Sequence, residues 1–456
     1  MRKRLLEKFF SAPAEVLEKG VEVGGELKHD LEQENSVKVA TKYWKTLGPG
    51  LITGAADDDP SGIATYSQMG AATGFSLIWL SLFTFPLMSI VQEMCARIGL
   101  ATGVGLAANI RKFYSKRILY LCTTFLLFAN VFNIGADLGA MAKGAQLIFP
   151  YTSFTFLIFI FAVISLLLQV FVPYRKYAVY LKYLTLILFA YVASVFFIDI
   201  NWSNVIYHTI VPNLEFSKEQ IILICAVLGT TISPYLFFWQ SSQEVEEQIL
   251  HGDRTIEMRR MHTGAESIKN MRIDVWSGMF ISNLVMFFII ATCAATLYAN
   301  GITDIQSAEE AALALRPFAG NFAYVLFSLG ILGTGFLAIP VLAGSASYAI
   351  SESFGWKTGL YRKLKQATSF YGVIIVAMFL GILLNFIGLH PIKALIYSAL
   401  LNGIISPFMI FFIVRLSGDE NVMGAFKNKG FYNILGLLTF IIISLVGVAA
   451  VVSLLL

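Results

Sequence analysis

The stretch GPGLITGAADDDPSGIAT, residues 48–65, places three consecutive aspartates and a proline in the middle of an apolar segment. A second apolar segment is interrupted in a similar way by TTISP, residues 230–234. Charges and helix breakers at membrane depth are tolerated only where the freed backbone faces protein or a watery cavity. Two such breaks in corresponding halves of a chain indicate an inverted repeat with a central substrate site.

The composition supports a membrane location. Hydrophobic residues make up 57% of the chain and charged residues only 14%, whereas soluble proteins average about 25% charged residues. Apolar segments long enough to cross about 30 Å of hydrocarbon recur along the sequence. We therefore predict an all-α integral membrane protein with eleven spans: 47–70, 76–101, 118–148, 154–172, 179–198, 219–243, 274–298, 320–350, 370–388, 391–414 and 431–455.

Basic residues predict the orientation of these spans, because cytoplasmic loops carry an excess of Lys and Arg. The basic residues concentrate after the even-numbered spans, as in the groups at 111–117, 254–272 and 357–365. The N-terminus is therefore expected in the cytoplasm and the C-terminus outside. The net charge of +4 is spread over separate loops, which argues against nucleic-acid binding.

The same pattern predicts the domain organisation. Residues 1–44 are polar and form a cytoplasmic tail, residues 45–198 form a first five-helix repeat, residues 199–415 form a second repeat with spans 6–10, and residues 416–456 hold a loop and span 11.

The first break is expected to unwind span 1 over Asp57–Gly62, since Pro60 lacks an N–H and Gly62 does not resist unwinding. Unwinding frees carbonyl oxygens beside three carboxylates, and a cation is the natural partner for that set. Asp59, next to the proline, is the preferred direct ligand. Asp58 and Asp57 are either further ligands, or a hydrated vestibule or cap of the next half-helix.

The second break is expected to unwind span 6 over Thr230–Pro234. Carbonyls of residues 229–231 would then be free, with the hydroxyls of Thr230, Thr231 and Ser233 nearby. The alternative is a proline-kinked helix whose Ser and Thr side chains bond back to their own chain. The matching aspartate-bearing break in the other half favours a substrate site.

Three motifs resemble one family. Residues 48–65 resemble the first membrane helix of the Nramp divalent-metal transporters, which carries D-P-G-N there. GTTISPY at 229–235 resembles that family's A-T-V-M-P-H, and IGLATG at 98–103 resembles its L-G-I-A-T-G. The resemblance covers about residues 45–455 and implies a LeuT-type fold, in which spans 1–5 and 6–10 are inverted repeats and span 11 lies outside them.

The resemblance implies a ligand set with two losses. The family's metal-binding Asp falls on Asp59, and its carbonyl ligand falls on Thr230. Its Asn ligand falls on Gly62 and its Met ligand on Ser233, so an amide and a thioether are lost. Oxygen-only sites suit Mg²⁺, Ca²⁺ and Mn²⁺, and Mg²⁺ keeps several of its waters. The pattern is similar to the Nramp-related magnesium transporter branch, and we expect Mg²⁺ or Mn²⁺ as the substrate.

Two histidines of the family are also replaced, whereas an acidic residue that serves proton transfer is kept. Its histidine after the proline becomes Tyr235, a second histidine becomes Gln240, and an acidic residue of span 3 falls on Asp137. Proton coupling is therefore expected to be weak or absent, with Asp137, Asp57 and Asp58 as the carboxylates that could still carry protons. Asn130 and Asn133 share one helical side with Asp137, which predicts either a water path or hydrogen bonds between helices.

Two further polar features remain open at this level. Glu93 and Arg97 are spaced for an ion pair within span 2, with a gate as the alternative. Asn402 in span 10 is either an outer-shell residue of the site or part of polar core packing.

No motif predicts an enzyme or a bound cofactor, since there is no Walker loop and no nucleophile elbow. A transporter of organic cations or amines is the main alternative, because aromatic residues flank the breaks and can hold such cations by cation–π contacts. A non-transporting metal sensor is a third hypothesis, but the chain offers no signalling domain. The expected partners are the cation and membrane lipids, with no required protein partner, in a bacterial or archaeal cell membrane.

Overall fold

The computed structural model describes residues 44, 46–172, 176, 183, 189–215 and 217–455. This part of the chain is helical and contains no strand. Eight of its helical segments are long and apolar enough to cross a membrane, so the chain is a multi-pass integral membrane protein. The predicted N-terminal tail lies outside the described residues, apart from Trp44.

We name the spans as predicted and call the halves of the broken ones 1a, 1b, 6a and 6b. Their bounds are Pro49–Asp57 (1a), Pro60–Thr73 (1b), Trp79–Thr102 (2), Lys116–Ile148 (3), Phe154–Phe171 (4), Lys218–Thr231 (6a), Pro234–Leu250 (6b), Ala265–Thr296 (7), Ala323–Phe354 (8), Thr368–Leu384 (9), Pro391–Gly418 (10) and Gly430–Leu455 (11). Span 5 falls mostly outside the described residues, with only Phe189–Ser194 seen as its helix. The count of eleven therefore stays a prediction.

Both breaks occur where the sequence predicts them, but each is shorter than predicted. Only Asp58 and Asp59 separate 1a from 1b, and only Ile232 and Ser233 separate 6a from 6b. The predicted unwinding of Asp57–Gly62 and Thr230–Pro234 was thus too wide. Each proline stands at the first helical position, where its missing N–H costs nothing and its fixed φ favours the helix.

The half-helices pack as an inverted repeat requires. Half-helix 1b packs on span 7, and the corresponding half-helix 6b packs on span 2. Span 3 packs along span 8, which is its own counterpart in the other half. The breaks meet near the centre of the bundle, because 1b also contacts 6a.

Half-helix 1a lies unusually close to span 7. A Cβ on Gly54 would come within 2.3 Å of the Gly278 carbonyl oxygen, so both backbones need glycine here. The amino end of 1a is held by the Asp274 carboxylate of span 7, which accepts hydrogen bonds from the N–H groups of Gly48 at 2.7 Å, Gly50 at 2.6 Å and Leu51 at 3.1 Å. A carboxylate at a helix amino end is favourable because it satisfies free N–H groups and opposes the helix dipole.

Half-helix 1b has a separate hydrogen-bonded contact with the loop that follows span 7. The Gln68 amide donates to the Thr303 carbonyl at 3.0 Å and accepts from the Ile305 N–H at 2.9 Å. Each half of span 1 is therefore held by hydrogen bonds between a side chain and backbone groups.

The predicted ion pair in span 2 is present and extends to span 7. Glu93 accepts from Arg97 at 2.6 Å, from Arg272 at 3.0 Å and from the Trp276 indole at 2.8 Å. The buried carboxylate thus joins the two spans.

Candidate functional site

Asp59 lies in the first break and caps the amino terminus of half-helix 1b. Its Oδ1 accepts a hydrogen bond from the Gly62 N–H at 2.7 Å, which makes it the N-cap residue. Its Oδ2 accepts from the Asn133 amide at 2.9 Å, and Asn133 accepts in turn from the Ser398 hydroxyl at 2.6 Å. The carboxylate is 1% exposed, so three spans fix it at the centre of the bundle.

Gly62 lies where the two breaks meet. A Cβ at this position would come within 2.8 Å of the Asp57 carbonyl oxygen and 3.3 Å of the Thr230 hydroxyl. Glycine at this position therefore permits the start of 1b to lie close to the end of 1a, beside the Thr230 hydroxyl of 6a.

Two hydroxyls of the second break donate hydrogen bonds to backbone carbonyls of the same segment. Ser233 donates to the Gly229 and Thr230 carbonyls at 2.6 and 2.8 Å, and Thr231 donates to the Val227 carbonyl at 2.8 Å. The expectation that the carbonyls of residues 229 and 230 are free was wrong, because the hydroxyl of Ser233 folds back on them as in the kinked-helix alternative. A cation reaching these carbonyls would share them with Ser233.

Other groups freed by the breaks are bonded across the bundle. The Ala56 carbonyl, near the end of 1a, accepts from the Tyr235 hydroxyl at 2.7 Å. The Ile232 carbonyl accepts from Ser406 of span 10 at 2.6 Å. Tyr235 therefore joins 6b to 1a directly, so its side chain is at the junction of the two breaks.

Three more carboxylates are buried beside this junction. Asp57 accepts from the Ser282 hydroxyl of span 7 at 2.8 Å through Oδ2. Within the described residues, no hydrogen bond of normal length reaches the other oxygen of Asp57 or either oxygen of Asp58 and Asp137. Asp137 lies close enough to Asp59 for their charges to interact.

The remaining candidates have different surroundings. Gln240 accepts from Thr53 at 2.5 Å and donates to Glu244 at 2.8 Å, so it joins 1a to 6b. Asn402 is 1% exposed, and its side-chain oxygen has no hydrogen-bond partner among the described residues. The structure does not connect either side chain to Asp59.

Sequence reasoning missed three partners of the site: Asn133 as a donor to Asp59, Ser398 behind it, and Ser282 on Asp57. Asn133 was noted only as part of the polar stripe on span 3. That stripe makes hydrogen bonds between helices, since Asn130 also donates to the Leu342 carbonyl at 2.9 Å. Its spacing of four residues from Asp137 was the available signal.

The chemistry of the centre is that of hard oxygen groups. It combines a fixed carboxylate, carbonyl oxygens at two helix breaks and hydroxyls, and no His, Cys or Met side chain bonds to these groups within the described residues. No group of three or more His, Cys, Asp or Glu side chains arranged to hold a metal is found in that part of the chain either. Fold and centre together define a LeuT-type membrane protein with a carboxylate between two broken helices.

Comparisons with known proteins agree with this class. Residues 50–453 match the family model described as Nramp, natural resistance-associated macrophage protein-like, and the chain belongs to this family. It is 26% identical over 403 residues to the divalent metal cation transporter MntH of Caldanaerobacter subterraneus subsp. tengcongensis, covering 87% of this chain and 90% of that protein.

Solved structures show the fold. A manganese transporter of Eremococcus coleocola superposes with a TM-score of 0.72 at 18% identity, covering 89% of this chain and 86% of that one. Mhp1, a nucleobase-cation-symport-1 family transporter in a closed conformation, gives a TM-score of 0.57 at 15% identity, with 89% and 90% covered.

Proposed function

We propose that this protein is a secondary transporter that carries divalent metal cations by alternating access past Asp59. The observation that carries the proposal is the position of that carboxylate, which is buried, held by Gly62 and Asn133, and set in the break of span 1 beside the break of span 6. An ionised carboxylate in such surroundings needs a positive partner. The names of the relatives, which are divalent metal and manganese transporters, support the same substrate class.

We further propose that Mg²⁺ or Mn²⁺ is preferred. Ser233 supplies a hydroxyl where the family has a thioether, and oxygen ligands favour hard cations. Gly62 supplies no side-chain ligand where the family has an amide, which suits an ion that retains waters in place of protein ligands. Asp59, Gly62, Thr230, Thr231 and Ser233 are the proposed inner residues, with Asp58, Tyr235, Gln240, Asp137 and Asn402 around them.

Proton coupling is proposed to be weak or absent. Histidine is the side chain that usually titrates near neutral pH, and the two family histidines are Tyr235 and Gln240 here. Both side chains are bonded across the half-helices, which gives them a role in holding 1a against 6b.

The repeats at 45–198 and 199–415 are the proposed moving units, with the N-terminus in the cytoplasm and the C-terminus outside. The proposed protein acts as a transporter rather than an enzyme and needs neither a cofactor nor a protein partner. A bacterial or archaeal cell membrane is its proposed location.

Uptake into liposomes tests these proposals. The purified protein should carry Mg²⁺ or Mn²⁺ down a gradient, with poor uptake of Cd²⁺ and little change in internal pH. Amines of similar charge should neither enter nor compete. Uptake of an amine in the absence of any divalent uptake would replace the proposal by an organic-cation transporter, with the buried aromatic residues beside the breaks as its walls.

A further inference from the structure

The break in span 1 has two faces. Asp59 turns towards spans 3 and 10, where Asn133 and Ser398 hold it. Asp57 turns the other way, towards span 7, where the Ser282 hydroxyl donates to its Oδ2 at 2.8 Å. Ser282 also lies beside Asp58, so two carboxylates converge on one hydroxyl of a different helix.

This second face holds buried oxygens with unused bonding capacity. Asp57 and Asp58 are both 0% exposed. Asp57 Oδ1 and both oxygens of Asp58 accept no hydrogen bond of normal length from the described residues. An ordinary protein interior pairs or neutralises such groups, because an unpaired buried carboxylate is very costly.

A neutral side chain points to the same place. The Tyr66 hydroxyl is fully buried, lies beside Thr230 and close to Asp57 and Asp58, and makes no hydrogen bond of normal length within the described residues. An oxygen outside the acidic cluster is therefore also left available there.

The local electrostatics favour a cation. No Lys or Arg in the described part of the chain forms an ion pair with Asp57 or Asp58. Half-helix 1a ends at Asp57, so its carboxyl-terminal dipole adds further negative potential at this point. Two carboxylates and a helix carboxyl end together call for a charge of about +2 rather than +1.

We infer that Asp57, Asp58 and Ser282 form a second cation site that takes a hard divalent ion in addition to the ion proposed at Asp59. The all-oxygen donor set suits Mg²⁺, Mn²⁺ or Ca²⁺ rather than a soft metal. The inference rests on the proposed function for the class of ion, but it adds a second ion to the chain and a role for span 7.

Counting bound Mn²⁺ on the full-length protein in detergent tests this. Calorimetry should give two ions per wild-type chain, and the electron paramagnetic resonance spectrum should be broadened by the nearby pair. The double variant Asp57→Asn, Asp58→Asn should bind one ion with a narrow spectrum. The exposed Asp199→Asn is the matched control and should retain two ions.

Ser282→Ala keeps both carboxylates and provides a second test in case the double variant does not fold. It should weaken the second binding step about tenfold, or about 1.4 kcal/mol, and leave the first unchanged. One ion per wild-type chain, or two ions with unchanged affinities in Ser282→Ala and in a folded double variant, would overturn the inference. If the double variant Asp57→Asn, Asp58→Asn lost one ion and Asp59→Asn lost none, the assignment of Asp59 as a ligand would be refuted instead.

Discussion

Asn133 of span 3 donates its amide to Asp59 Oδ2 at 2.9 Å, and this bond sets the direction in which the carboxylate can act. With Gly62 on the other oxygen, the side chain cannot rotate freely. Binding of a cation at the proposed site would therefore require little further ordering of the Asp59 side chain.

Replacing Asp59 by Asn should weaken Mg²⁺ or Mn²⁺ binding at its site at least about tenfold, or about 1.4 kcal/mol. The variant keeps the size of the side chain and its role as a helix cap, but it removes the charge that balances the ion. Calorimetry and a thermal melt check both properties. Unchanged affinity in a variant that melts like the wild type would contradict the assignment, and the exposed Asp199→Asn serves as the control.

Gly62→Ala should reduce the uptake of divalent cations in a protein that still folds. The Cβ of Gly62→Ala would meet the Asp57 carbonyl at 2.8 Å, so 1b must shift away from 1a and the junction of the two breaks must be rearranged. Gly372→Ala in span 9 is the matched control, because nothing lies within 4 Å of its added Cβ. We expect the control to retain wild-type uptake and Gly62→Ala to lose most of it. Equal uptake by the two variants would show that the junction is not on the ion's path.

Ser233→Met should raise the affinity for Cd²⁺ relative to Mg²⁺. The change adds a soft sulfur and also releases the Gly229 and Thr230 carbonyls from the serine hydroxyl. Ser233→Ala releases the same carbonyls without adding sulfur, and so separates the two effects. Competition between Cd²⁺ and Mn²⁺ in liposome uptake measures the shift. A gain in Cd²⁺ affinity of equal size in both variants would mean that sulfur does not set the selectivity.

Asp274→Asn should loosen the amino end of half-helix 1a. A carboxylate that accepts three N–H bonds becomes a neutral amide, and a hydrogen bond to a charged group is worth about 1.5–3 kcal/mol. The melting temperature should fall, and residues of 1a should react faster with a thiol reagent after substitution by cysteine. Asp419→Asn, an exposed cap of a short helix, should change neither measurement.

Much of this arrangement was predictable from local chemistry. Pro60 and Pro234 fix the places where helices restart, and the charge of Asp59 at membrane depth marks the centre. The width of each break was not predictable, because it depends on whether Asp59 and Ser233 turn their side chains towards the backbone. The Asp274 clamp was also missed, because its partners lie more than 220 residues away and no local spacing relates them.

The two-residue break divides span 1 into two half-helices of unequal length. Half-helix 1a has nine residues and is about 13 Å long, whereas 1b has fourteen and is about 21 Å long. A rotation of 1a by about 20° at Asp58 would move its amino end by only about 5 Å, close to the pitch of one helical turn. The hydrogen bonds of that end to Asp274 and the close glycine contact of 1a with span 7 would both oppose this rotation. In the proposed transport cycle, movement of 1a would therefore be opposed at its amino end, about 13 Å from the break that holds Asp59.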